Sequence, residues 1–159
     1  MEQEIIIRRA QDSDIEAINR LLEQVEELHH RGRPDLFKAG ARKYTDSELA
    51  DLLKDEARPV FVADFRGKVL GYAFCMLKQY QDDNILTDSK TLYIDDLCVD
   101  KEERGRHVGR QLYEYVLDYA REQGCYNVTL NVWECNPGAR AFYEKCGLLP
   151  QKTGMEKIL

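Results

Sequence analysis

No apolar run in this chain approaches the roughly 18 residues that a membrane helix needs, so no spanning segment is expected. The opening stretch Met1-Glu2-Gln3-Glu4 is acidic where a secretory leader would be basic. Basic charge is not in excess either. Against 29 acidic side chains stand 23 basic ones, leaving a net charge of −6, the wrong sign for gripping a phosphate backbone. Nucleic acid and membrane are therefore set aside as partners, and a cationic small molecule or a peptide fits better. Cysteine pairing is lacking too: Cys75, Cys98, Cys125, Cys135 and Cys146 are odd in number, lie in apolar contexts and form no CxxC pair. That pattern reads as reduced thiols in a cytoplasmic protein, with no structural metal. There is no internal repeat, no low-complexity tract, no G-x-G-x-x-G fingerprint and no Gly-Lys-Ser/Thr of a P-loop.

What is present suffices for one core. The 159 residues, 43% apolar, predict a single domain over 1–159. Ile5-Ile6-Ile7 reads as a strand. Asp12 or Ser13 then caps a helix whose apolar positions Ile15, Ile18, Leu21, Leu22, Val25 and Leu28 recur at helical spacing. Residues 29–43 carry Gly32, Pro34 and Gly40 and read as a loop or broken helix. Thr45 and Glu48 form a capping box for a short helix. Strands over 59–63 and 69–77 flank the turn Arg66-Gly67 as a hairpin, and a further strand over 91–99 runs antiparallel to them. A helix follows, with Leu112, Tyr113, Val116, Leu117 and Ala120 on one face, and it stops at Gly124. Tyr126, Val128, Leu130 and Val132 alternate with polar residues as a half-buried strand. The intervening helix predicts that this strand runs parallel to its predecessor. Asn136 and Pro137 open a last short helix, and a final strand is expected over 154–158.

One turn points to an anion. In Arg104-Gly105-Arg106-His107-Val108-Gly109 a strand passes through glycines into a helix. Such a turn presents unpaired N–H groups and the positive end of the helix dipole, which suits a pyrophosphate. Arg104, Arg106 and Arg110 add positive charge around it. Read alone, the two glycines are equally well explained by a tight turn.

The order Arg-x-x-x-x-Gly after this strand, with Val108, Gly109 and Leu112 in register, resembles the coenzyme A motif of the GNAT N-acetyltransferases. Residues 136–148, Asn-Pro-Gly-Ala-Arg-Ala-Phe-Tyr-Glu-Lys-Cys-Gly-Leu, resemble that family's second signature. The resemblance implies an α/β (α+β) fold: a mixed, mostly antiparallel central sheet of six to seven strands, with about four helices on both faces. It also implies acetyl-coenzyme A as co-substrate and a homodimer. By the same resemblance Leu97, Cys98 and Val99 bind the pantetheine arm through their backbone. Arg104, Gly105, Arg106, His107, Val108, Gly109 and Arg110 cradle the pyrophosphate, and Asn136 and Tyr143 also contact the cofactor. His107 departs from the pattern, standing where the family has Gly or Ala. Histidine tolerates left-handed backbone better than most residues, so the loop's path can be kept, with the imidazole on the nucleotide or in solvent.

Acetyl transfer to an amine needs a neutral amine, and an alkylammonium holds its proton up to a pH of about 10.4. The pair Asp95 and Asp96 resembles the acidic pair of polyamine N-acetyltransferases in this family, which nominates Asp95 as base with Asp96 beside it. By strand alternation the two would face opposite sides unless a bulge intervenes, and both are also explained as strand-end carboxylates pairing with basic groups. Tyr143 is the family-matched donor to the departing thiolate, although Phe142 and Tyr143 also read as core aromatics. His29, His30 and Phe37 are the expected acceptor-side residues, with Arg31 and Arg33 beside them. Cys98 or Cys135 as an acetylated nucleophile has no supporting base nearby. The implied reaction is direct transfer to a primary amine, a polyamine-like acceptor first and a peptide N-terminus or lysine second. A non-catalytic acyl-coenzyme A sensor is the alternative of another class.

Overall fold

The computed structural model describes residues 4–159; Met1, Glu2 and Gln3 of the acidic opening stretch lie outside the described residues. Strand β1 (Ile6–Arg9) leads through a 3-10 turn, Asp12–Asp14, into helix α1 (Ile15–Gly32). Neither Asp12 nor Ser13 caps that helix. Asp14 holds the N-cap position, and its carboxylate accepts from the Gln11 N–H at 2.8 Å and from Arg8 at 2.7 Å. Helix α2 (Asp46–Leu52) opens with the expected reciprocal box: Thr45 accepts from the Glu48 N–H at 3.1 Å, and Glu48 accepts from the Thr45 N–H at 3.0 Å.

Strands β2 (Val60–Phe65) and β3 (Lys68–Gln79) form the hairpin, and β4 (Lys90–Val99) pairs antiparallel with β3. Helix α3 (Val108–Glu122) crosses to β5 (Asn127–Leu130), which lies parallel to β4, and α4 (Pro137–Lys145) follows. The sheet order is β1-β2-β3-β4-β5. Alternation along the strands sorts side chains to two cores. On one face Val60, Val62, Tyr72 and Phe74 meet Ile18, Leu21 and Leu22 of α1 and Leu49 and Leu52 of α2. On the other, Phe61, Ala63, Leu70, Leu92 and Ile94 meet Val108, Leu112, Val116 and Ala120 of α3.

The expectation of six to seven strands is corrected to five among the described residues. The strand expected over 154–158 does not form. Every residue of 149–159 is exposed, Met155 at 93% and Ile158 at 75%. No strand of the sheet pairs with the segment, and Glu156 is instead ion-paired to Arg33, just past the end of α1. Helix α4 is lightly packed and buries none of its residues fully.

Candidate active site

The site begins where the sheet splits. The parallel ladder between β4 and β5 ends at Ile94 opposite Leu130, whereas β4 runs on to Val99. Beyond Ile94, β4 therefore has β3 on one side and an open edge on the other, at Leu97, Cys98 and Val99. A strand edge without a neighbour offers N–H and C=O groups to an extended amide-bearing chain. A cavity of about 2450 Å³ fills the split, bordered by β4, β5, α3, α4 and the loop after α1. Ligand pockets commonly measure about 300–1,000 Å³, so this one has room for two reactants together.

At the apex of the split the β3–β4 register slips. Ile94 lies opposite Cys75, but Asp96 lies opposite Phe74, which leaves Asp95 as an extra, unmatched residue. Such a bulge reverses the alternation beyond it. Leu92 and Ile94 belong to the α3-side core, yet Cys98 belongs to the α1-side core. Both carboxylates consequently reach the α1 side. Asp95 Oδ2 accepts from Lys43 Nζ at 3.2 Å, and Asp96 Oδ2 accepts from the Tyr72 hydroxyl at 2.6 Å. The opposite facing that regular alternation demanded is thus removed by one inserted residue. Burial pushes the Asp96 carboxyl above the ordinary aspartate range, against the opposing pull of Tyr72 and Lys43.

The Arg104–Gly109 loop takes the left-handed path that a histidine can tolerate. His107 adopts the left-handed conformation, φ 58° and ψ 26°, at the N-cap of α3. Gly105 has φ 93°, a value that excludes most side chains. The His107 side chain does not cap α3, and the first N–H groups of a helix have no partner within it. Gly109 is small for packing reasons: a Cβ there would stand 3.3 Å from the Phe142 ring and 3.4 Å from Val99. Gly105, His107, Val108, Gly109, Arg104 and Arg110 all border the cavity. Arg104 makes no ion pair with the described residues, while Arg110 is shared with Glu114 at 3.0 Å. Arg106 turns away, bonded to Glu103 at 2.9 Å and stacked over Phe65.

Tyr143 and Asn136 border the cavity from the α4 side. Asn136 accepts from the Ala139 N–H at 3.2 Å, so its cap role is realised. The Tyr143 ring stands edge-on to Phe142, with ring centres 5.1 Å apart, and its hydroxyl bonds to no described residue. Burial first, then the Asp96 carboxylate, raise the Tyr143 phenol above its ordinary pKa, so it remains a protonated donor. Cys98 is a poor nucleophile, because burial and Asp96 push its thiol up to about 12.

Of the residues expected to meet the acceptor, His29 and Phe37 border the cavity, in contact with each other at a ring distance of 4.8 Å. Phe37 also meets Trp133 edge-on at 5.2 Å. His30 does not line the cavity; its Nδ1 lies 2.8 Å from the Phe37 carbonyl and fixes the loop. Arg33 reaches the cavity, whereas Arg31 pairs with Glu27 on the surface. The sequence reading passed over Lys43, Glu26, Tyr93 and Trp133, all of which line the cavity. Lys43 reaches the cavity through a contact with Asp95, 52 positions away, for which the sequence around it carries no signal.

The structure thus brings a split mixed sheet, a helix N-terminus, two carboxylates and a half-buried phenol to one cavity. Residues 22–148 match the model of the acetyltransferase (GNAT) family, and the chain belongs to that family. It is thus an N-acetyltransferase that uses acetyl-coenzyme A as co-substrate. Among curated relatives, glucosamine 6-phosphate N-acetyltransferase of Arabidopsis thaliana is 28% identical over 116 residues, 73% of this chain and 68% of that one. A probable glucosamine 6-phosphate N-acetyltransferase of Oryza sativa is 36% identical over 66 residues, 42% of this chain and 38% of its own. Among solved structures, a mutant of the BH1408 protein of Bacillus halodurans superposes with a TM-score of 0.92. It is 34% identical, with 97% of this chain and 99% of that chain covered.

Proposed function

We propose that this enzyme transfers the acetyl group directly from acetyl-coenzyme A to the primary amine of a small molecule, both bound in the split at once. The observation that carries this reading is the bulge at Asp95, which gathers both carboxylates on one face beside the open edge of β4. In this reading the backbone of Leu97, Cys98 and Val99 takes the pantetheine arm. Asp95 accepts the ammonium proton, Asp96 adds negative charge behind it, and Tyr143 donates to the sulfur. The raised thiol of Cys98 argues against an acetyl-enzyme and for direct attack.

For the acceptor, a small cationic amine such as a polyamine is the first reading. Lys43 already holds an ammonium against Asp95, and Glu26, Phe37, Tyr93 and Trp133 supply acid and aromatic faces. A second reading, an amine that also carries an anionic group, is supported by Arg33 and Arg42 at the same mouth and by the glucosamine 6-phosphate enzymes among the relatives. Coenzyme A release measured with spermidine, glucosamine 6-phosphate and a lysine peptide separates them. The highest kcat/KM is expected for spermidine, and a preference for the sugar phosphate reverses the order. Tight coenzyme A binding without thiol release from any amine points instead to an acyl-coenzyme A sensor.

The same reading includes a cytoplasmic homodimer. All five cysteines are free, in keeping with a reducing compartment. Exposed Leu149, Met155 and Ile158 support self-association. Light scattering at micromolar protein is expected to give twice the chain mass, and the mass of one chain rejects the dimer.

A further inference from the structure

From the placement of Lys43 we infer a second acceptor within the chain itself: the enzyme acetylates its own Lys43 when no external amine is bound. The inference rests on the proposed role of Asp95 at the amine position. Lys43 Nζ stands 3.2 Å from Asp95 Oδ2, where the ammonium of an acceptor would be held before losing its proton. The Lys43 side chain is 31% exposed and Asp95 28%, so the pair lies within the mouth of the split rather than on open surface.

The tether is short and fixed at both ends. Two residues after Lys43, Thr45 is locked into its capping box, and Arg42 is ion-paired to Asp46. Upstream, Phe37 is held by contacts to His29, His30 and Trp133. A nucleophile confined in this way reacts as an intramolecular group, at an effective concentration that free lysine in solution does not reach.

The other charged groups at this position favour holding the amine there. Burial works to lower the Lys43 pKa, but Asp95, with Tyr44 and Asp96, outweighs it and keeps the ammonium paired. Reaction therefore requires Asp95 to accept the proton first. The neutral Nζ then attacks the thioester carbonyl, an N–C bond forms as the C–S bond breaks, and coenzyme A departs as a thiolate that takes up the second proton lost from Nζ. The product is an uncharged amide that cannot form an ion pair with Asp95, and once Asp95 has passed its proton to water the carboxylate can hold an incoming ammonium.

Full-length protein incubated with acetyl-coenzyme A and no added amine, then digested and mapped by mass spectrometry, tests this. Acetyl-Lys43 is expected to accumulate about tenfold or more faster than acetylation of the exposed Lys38, Lys54 and Lys78. Its rate per molecule should be independent of protein concentration, and an accepted amine should slow it by competing for the same position. Labelling of Lys43 no faster than of the exposed lysines, or unaffected by a saturating accepted amine, overturns the inference. Coenzyme A release with the amine panel is followed in parallel. Turnover without Lys43 labelling rejects self-acetylation alone, whereas loss of both rejects the proposed role of the site.

Discussion

Replacing Tyr143 by Phe is expected to lower kcat about a hundredfold while leaving the dissociation constant for coenzyme A within about threefold, the usual consequence of removing one preorganised donor. The substitution keeps the ring, and with it the edge-on contact with Phe142. It removes only a hydroxyl that bonds to no described residue and is therefore available to the sulfur. The raised pKa of this phenol shapes its role. A thiol ionises near pH 8.5, below the ordinary tyrosine value, so a phenol held still higher has no drive to surrender its proton to the thiolate. Tyr143 is thus expected to act by donating a hydrogen bond to sulfur as charge develops, with water completing the protonation. Stopped-flow or steady-state thiol release and a separate coenzyme A titration measure the two quantities. A kcat unchanged within about twofold removes Tyr143 from the chemistry, and equal loss of rate and affinity makes it a cofactor contact.

Most of the fold was legible because it is written in local patterns. The helical spacing of Ile18, Leu21 and Leu22, the Thr45 and Glu48 box and the Asn136-Pro137 start each specify their element by short-range physics, and each is found where expected. The parallel placement of β5 followed from the intervening helix. What escaped depends on long-range pairing. Alternation alone could not say whether Asp95 and Asp96 share a face, because the deciding residue count involves β3, in which Cys75 and Phe74 face Ile94 and Asp96. The final strand failed for a similar reason: Met155 and Ile158 suit a strand but do not supply a neighbour. Arg106 fitted the anion reading by position, yet Glu103 and the Phe65 ring claim it. Lys43 was passed over because nothing near it in sequence reveals a carboxylate 52 positions away.

Replacing Asp95 by Asn is the sharper test of the amine site. The amide keeps the size of the carboxylate but cannot take a proton, so the acceptor must arrive already neutral. The rate at pH 7 is expected to fall about a hundredfold, within the range that general-base catalysis supplies. The rising limb of the rate against pH is expected to move up toward the ionisation of a free alkylamine, about 10.4. The two effects share one cause, so the rate deficit should shrink as pH rises and solvent performs the deprotonation. The same change removes the negative charge that pairs with Lys43 across the 3.2 Å contact. Asp96→Asn serves as the comparison. That carboxyl is held above its ordinary range by burial and bonded to Tyr72, so its loss should disturb the packing behind the site and leave the pH limb in place. If Asp96→Asn moves the limb and Asp95→Asn does not, the proton goes to Asp96, and Asp95 serves as an ammonium anchor.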